Sequence, residues 1–446
     1  MAFSTIPGTG GAPDVFVGTS GVDSITITNV NNAVDLKALA SDDNITFDNA
    51  AGVVNGYTLL GGSGNDTFTS NTTTLAAASR INGNEGNDRI TLNAFNGVSV
   101  TDTTVVGGKG NDTIVLTGSL NSSLVNGNLD DDTITTAGAS NSSVFGGQGV
   151  DTININGITV LTVINGDKEN DTINVAGSVN QSTINGGDGN DTVNLLAGIT
   201  AFADSSVFGG DGIDTLNGTA VGDFGLVLSG DAGNDVINGG GGADSLFGGI
   251  GNDQILGRAG ADTITGGVGA DRLTGGLGND RFVFATGDSF ATQGVVNNTA
   301  TFRSGSTTTV DVILDFEVVQ ATGAGDVIQF AQTAGNSAQN NGLGANAFIT
   351  AGGAVTIANN LNGQTLNAGI NRVYFTGNWN QTTGVFTYTG GAHVNGVTDY
   401  MIAQVNLAGP VNASTAALGT PGINFEITNQ FTSAESLILE NATFTA

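Results

Sequence analysis

A glycine-rich turn ending in aspartate returns along most of this chain at regular intervals, and that recurrence limits the fold more than any other property. Gly61-Gly62-Ser63-Gly64-Asn65-Asp66-Thr67-Phe68 comes back as Gly107-Gly108-Lys109-Gly110-Asn111-Asp112-Thr113-Ile114 and as Gly186-Gly187-Asp188-Gly189-Asn190-Asp191-Thr192-Val193. Looser copies, with Gly146, Gly149, Gly209, Gly212, Gly230 and Gly233 among their glycines, carry Asp88, Asp132, Asp151, Asp171, Asp214 and Asp235. From Asp66 to Asp235 successive aspartates lie 22, 24, 20, 19, 20, 20, 23 and 21 residues apart, which is one motif to a coil. Beyond Asp235 the step falls to 9 residues through Asp244, Asp253, Asp262, Asp271 and Asp280, so two motifs share a coil of 18. Such a period marks a solenoid, in which each repeat buries its apolar face only against its neighbours.

The flanks of the motif alternate with strand periodicity. Two residues before it stand Leu59, Ile81, Val105, Val125, Val144, Ile164, Ile184, Val207 and Leu228; two after its aspartate stand Phe68, Ile90, Ile114, Ile134, Ile153, Ile173, Val193, Leu216 and Ile237. Between aspartate and apolar residue the chain places mostly Thr, as at Thr113, Thr133, Thr152 and Thr172. The expected fold is all-β, a parallel β-roll or β-helix whose coils are two short strands joined by turns, with two aliphatic rows inside. Asp23-Ser24-Ile25 and Asp43-Asn44-Ile45 keep the step of 20 without the glycines, so the roll is expected to begin near residue 14, with Asp23 a weaker candidate ligand.

The charge balance narrows what the turns can hold. With 40 acidic residues against 10 basic ones the net charge is −30, which repels nucleic acid and anionic lipid and attracts cations. There is no Cys and His393 is the single histidine, which removes the usual zinc and copper ligands and leaves oxygen donors. The glycines let the backbone take positive φ and turn carbonyl oxygens to one side, and the aspartate adds a carboxylate. Oxygens gathered from neighbouring turns suit Ca²⁺ better than the small octahedron of Mg²⁺. The candidate ligands are therefore the motif residues named above, Gly61 to Asp280.

The motif resembles the RTX, or haemolysin-type, nonapeptide repeat, Gly-Gly-x-Gly-x-Asp-x-apolar-x, clearly over residues 61–284 and weakly over 14–60. The resemblance implies several bound Ca²⁺ ions, type I export on an uncleaved C-terminal signal, and folding in extracellular calcium. The first eight residues lack the basic and apolar regions of a secretory signal peptide, in agreement with that, and no run of 18 apolar residues suggests a transmembrane segment. The chain departs from the family pattern where one motif per coil replaces two. A single calcium row is expected up to about Asp235 and two rows beyond it. Asp130 and Glu169 replace the fourth-position glycine, and Val150 and Ile213 stand where a polar residue is usual.

Three regions are expected: a cap with degenerate coils at 1–60, the RTX roll at 61–285, and a β-rich C-terminal cap and export-signal domain at 286–446. The segments Asp311-Val312-Ile313-Leu314-Asp315-Phe316 and Gly325-Asp326-Val327-Ile328 are similar to those closing the roll in RTX proteins, and Asp311, Asp315 and Asp326 are further candidate ligands there. No His-Glu-x-x-His, Gly-x-Ser-x-Gly or equivalent constellation is present, and Gly287-Asp288-Ser289-Phe290 lacks a matching histidine, so no enzymatic activity is expected. The expected role is a calcium-dependent structural protein of the cell exterior, such as an S-layer, sheath or filament subunit. It would associate with itself, the type I export machinery and, as a further candidate, cell-surface polysaccharide. The alternatives are an adhesin that binds through its C-terminal domain and an ice-binding protein, the latter argued against by the irregular third motif position (Ser63, Glu85, Lys109, Leu129).

Overall fold

A strand that buries alternate aliphatic side chains and is followed by a glycine turn has one stable continuation, which is to stack on the next copy of itself. The computed structural model describes residues 14–27, 34–47, 54–70, 75–76, 79–93 and 100–284, with further strands at Ser4–Ile6 and between residues 301 and 445. The chain divides into two compact units, Met1–Phe224 and Gly225–Ala446, a division that falls inside the repeat.

In the first unit each coil contributes a strand to each of two parallel sheets. Ser143–Gln148, Val163–Lys168 and Thr183–Asp188 follow one another in the first sheet, and Thr152–Ile155, Thr172–Val175 and Thr192–Leu195 in the second. Register holds from coil to coil: Val144 pairs with Ile164 and Ile164 with Ile184, while Ile153 pairs with Ile173 and Ile173 with Val193. All of these are fully buried, so the two predicted aliphatic rows are the core. Rows of this kind transmit packing defects only to the coils above and below. Ile153→Val should therefore cost about 1 kcal/mol, the usual effect of one deleted buried methyl, read as a lower unfolding midpoint at saturating Ca²⁺ with no loss of fold.

The coil differs from the expected two-strand form by a third, two-residue strand. Val100–Thr101, Leu120–Asn121, Ala139–Ser140, Thr159–Val160, Val179–Asn180 and Phe202–Ala203 pair in parallel as a six-stranded sheet. Twenty residues exceed what two strands and two tight turns consume, and the surplus forms this third side. Its buried Val100, Leu120, Ala139, Val179 and Phe202 widen the core. At the start of the unit, Ser4–Ile6 pairs antiparallel with Asp14–Val17, which ends the parallel ladder at that edge.

In the second unit the 18-residue coil has only the two sheets. Val227–Ala232, Ser245–Ile250, Thr263–Val268 and Arg281–Phe284 pair in one, and Val236–Asn238, Gln254–Ala259 and Arg272–Leu277 in the other. The segment expected to close the roll does pair with its last coils: Asp311–Ile313 lies parallel to Arg272–Leu277, and Val327–Phe330 parallel to Arg281–Phe284. Phe431–Leu439 then continues from Asp311–Ile313, and Asp399–Leu407 and Gly369–Asn380 add antiparallel strands. The C-terminal region is thus β-rich, as its alternating sequence predicts.

Candidate metal centres

From Asp66 to Asp280 the turn between the two sheets recurs with two of its positions in a left-handed backbone, the copy before Asp244 excepted. Motif positions two and four have positive φ: Gly147 at 124° and Gly149 at 132°, Gly187 at 123° and Gly189 at 143°. Where glycine is missing the conformation persists, with Asn128 at 88°, Asp130 at 73°, Asp167 at 82° and Glu169 at 75°, which strains an L-residue. Asp130 and Glu169, which replace the fourth-position glycine, therefore preserve the turn.

That turn lowers the motif aspartate into the stack. In the first unit each Oδ1 accepts the backbone N–H of the aspartate one coil earlier: Asp132 N–H donates to Asp151, Asp151 to Asp171 and Asp171 to Asp191, each at 2.7 Å. The series begins with Asp23 N–H donating to Asp43 and ends with Asp191 N–H donating to Asp214. In the second unit Asp235, Asp253 and Asp271 continue the pattern along one edge, and Asp244, Asp262 and Asp280 form a counterpart along the other. One carboxylate row in the first unit and two in the second is the arrangement the change of period predicts.

The second carboxylate oxygen carries the case for a cation. Oδ2 of Asp43, Asp66, Asp88, Asp112, Asp132, Asp151, Asp171, Asp191, Asp253 and Asp262 is buried and has no hydrogen-bond partner. Ten buried oxygens without donors cannot be a packing accident, since such atoms are almost always paired. Desolvation, opposed by the backbone hydrogen bond and reinforced by neighbouring carboxylates, pushes Asp132 and Asp171 up to about 8 and Asp66, Asp88 and Asp112 up to about 7.

The first motif glycine completes the arrangement. A Cβ placed on Gly146 would lie 2.5 Å from Asp151 Oδ2 and 2.6 Å from the carbonyl oxygen of Gly166, one coil on; at Gly239 the same point is 2.5 Å from Asp244 Oδ2 and 2.6 Å from the Gly257 carbonyl oxygen. The missing side chain therefore leaves a space on which a carboxylate and a carbonyl from adjacent coils converge. Among the described residues no three His, Asp or Glu side chains come together, so backbone carbonyls must complete any coordination shell. An all-oxygen set of one carboxylate with several carbonyls fits Ca²⁺. Bound there, the ion would supply the positive charge that lets buried carboxylates stay ionised.

The structure separates two members from the rest. Thr19 N–H donates to Asp23 Oδ2 at 2.6 Å and Gly240 N–H to Asp244 Oδ2 at 2.7 Å, so the first unit's row and the Asp244 row of the second unit open on an aspartate whose second oxygen is already engaged. Asp311 lies in a strand whose side chains are outside the described residues, and Asp315, Asp326 and His393 are outside them altogether. Asp151→Asn keeps the Oδ1 acceptor and removes the charge from Oδ2. It should raise the Ca²⁺ midpoint and speed amide exchange in the coils around residue 151, with folding retained at saturating Ca²⁺, as hydrogen-exchange mass spectrometry would show.

Two further ladders escaped the sequence reading. At motif position five, Asn65 Oδ1 accepts from Asn87 N–H, Asn87 Oδ1 from Asn111 N–H, and Asn170 Oδ1 from Asn190 N–H. The Val150 and Ile213 N–H groups donate to Asp131 Oδ1 and Asn190 Oδ1, but neither residue has a side-chain oxygen to accept from the next coil, so they end their runs. On the other edge of the first unit a hydroxyl replaces the aspartate. Thr103 N–H donates to Ser123 Oγ, Ser123 N–H to Ser142 Oγ, Thr162 N–H to Ser182 Oγ and Ser182 N–H to Ser205 Oγ, each at 3.1 Å. Each of these hydroxyls stands two residues before an inward aliphatic, as each aspartate does, and that shared offset was the available signal.

The family model described as the RTX calcium-binding nonapeptide repeat (four copies) matches residues 58–71, 75–98, 101–118, 175–199, 227–255, 247–282 and 256–290. The coils it omits, around Asp132, Asp151, Asp171 and Asp214, keep the same turns and hydrogen bonds. No curated protein matches the chain. Among solved structures, one similar chain is a hyperactive, Ca²⁺-dependent, β-helical antifreeze protein from an Antarctic bacterium, 22% identical, covering 59% of this chain and 84% of that one at a TM-score of 0.36. No helix among the described residues is long and apolar enough to cross a membrane. With the aspartate rows and their glycine turns in place, the repeated segments of this chain are RTX calcium-binding nonapeptide repeats.

Proposed function

We propose that this chain is an extracellular structural protein, a subunit of an S-layer, sheath or filament, whose coils close around a row of Ca²⁺ ions in the first unit and two rows in the second. The observation that carries the reading is the series of buried Oδ2 atoms without donors, each from Asp66 onward facing a carbonyl of the adjacent coil. A cation row is the simplest way to satisfy them, and it makes the fold conditional on calcium. Extracellular calcium modules bind at about 10⁻⁴ to 10⁻³ M, above cytosolic levels, which suits a chain exported unfolded by a type I route and folded outside.

The role is assigned as structural and non-catalytic because the repeat is scaffold along its length and the sequence offers no catalytic constellation. The protein should form ordered arrays or fibres at millimolar Ca²⁺, visible by negative-stain electron microscopy, and disperse in EGTA. A folded, permanently monomeric protein would overturn this role. One feature favours a second reading, an adhesin: the antiparallel sheet of Gly369–Asn380, Asp399–Leu407 and Phe431–Leu439 stands apart from the coil pattern and is a natural place for a receptor or glycan. Retention of monomeric protein on cells or on a polysaccharide column would favour that reading.

A further inference from the structure

The outward face of the second sheet in the first unit is almost free of charge. Its ten strands, from Ser24–Ile27 to Thr215–Asn217, each turn two side chains outward, and of these twenty, twelve are Thr, five are Asn and one is charged, Arg89. None is acidic, in a chain with 40 acidic residues. The first sheet of the same unit carries Glu85, Lys109, Lys168, Asp188 and Asp211 at its motif end, and the third-sheet edge carries Asp102 and Asp204.

The face is also ordered from within. Asn174 Nδ2 donates to Asn154 Oδ1, Asn194 Nδ2 to Asn174 Oδ1 and Asn217 Nδ2 to Asn194 Oδ1, each at 2.9 Å. The strands beneath are in strict parallel register, so Thr152, Thr172, Thr192 and Thr215 form one row and the asparagines another. Side chains already fixed by neighbours lose little entropy on contact.

We infer that this Thr/Asn face is the surface through which two copies of the chain pack sheet against sheet. The inference rests on the structural-subunit reading and supplies its contact. Charge selects the occupant: a protein of net charge −30 repels its own copy wherever carboxylates meet, and this is an extended side of the unit where they do not. Ten strands of four residues span roughly 45 Å by 13 Å, so a pair would bury about 1,200 Å², the lower end for a specific interface. That area gives a weak contact that arrays multiply. End-on stacking is disfavoured at the N-terminal edge, where antiparallel Ser4–Ile6 interrupts the parallel register a second copy would have to continue.

The test is sedimentation velocity at millimolar Ca²⁺, with far-UV circular dichroism confirming the fold of each variant. Thr152→Asp with Thr192→Asp, and separately Thr152→Lys with Thr192→Lys, should stay folded and weaken self-association at least about tenfold, since like charges would face each other across the pair. Because two independent variants are used, one that fails to fold leaves the other as the test. Mixing the acidic with the basic variant should restore association. Arrays undiminished in both variants would overturn this inference and leave the structural role standing. A folded wild-type monomer would overturn both, as would thermal hysteresis or polysaccharide retention appearing in place of self-association.

Discussion

In EGTA at about pH 8 the chain should lose most of its β-sheet circular dichroism, and millimolar Ca²⁺ should restore it. The first unit alone stacks Asp66, Asp88, Asp112, Asp132, Asp151, Asp171 and Asp191 one coil apart, all buried. Carboxylates about 5 Å from one another in a desolvated row repel strongly when ionised. Burial raises their pKa to about 6 to 8, with Asp151 and Asp191 at the lower end and Asp132 and Asp171 at the upper. The unfolded value is near 3.8. Between those values the metal-free fold binds more protons than the unfolded chain, so its stability falls as pH rises through that window and recovers on acidification.

Calcium acts in the opposite sense, because it binds the ionised form and protons compete with it. Two results follow from the same carboxylates. The Ca²⁺ midpoint should rise as pH drops from about 8 to 6, and EGTA-treated protein should regain part of its β signal near pH 5. Calcium titrations followed by circular dichroism at several pH values check both. A spectrum indifferent to EGTA at about pH 8 would mean the Oδ2 atoms are satisfied without a cation, and the calcium reading would fall.

The repeat was legible because a solenoid repeats its chemistry in register. Ile153 and Ile173 align in the sequence by their distance from Asp151 and Asp171, and they align in space for the same reason. The change from one carboxylate row to two was written in the shift of period at Asp235. The third short strand was not legible, since Thr159–Val160 and Val179–Asn180 are too short for alternation to declare itself. The hydroxyl row was missed because Ser and Thr are common in turns and draw no attention singly. Only the constant offset from the aliphatic row distinguishes Ser123, Ser142 and Ser182 from ordinary turn residues. That row also explains how a coil lacking a second motif remains closed: Ser182 Oγ accepts the Thr162 N–H and donates to the Asn180 carbonyl, leaving neither group in need of a cation.

Gly189→Ala should be the most damaging single substitution within a coil, although alanine adds only one methyl group. Gly189 sits at φ 143°, a backbone region closed to L-residues, and a Cβ there would enter the carbonyl oxygen of Glu169 in the preceding coil. The obstacle is the Glu169 backbone, so no rotamer change relieves it. A smaller φ is open to a side chain at this motif position, as Glu169 itself shows at 75°, but reaching it would tilt the turn that sets Asp191. Asp191 Oδ1 holds the Asp171 N–H, and the two aspartates belong to adjacent coils, so the tilt would propagate one coil each way. Strain and overpacking together amount to about 3 kcal/mol or more, against about 1 kcal/mol for Ile153→Val. The expected result is a raised Ca²⁺ midpoint with fast amide exchange confined to roughly residues 163–217, and equal protection there in variant and wild type would show that the turns are not fixed by backbone stacking.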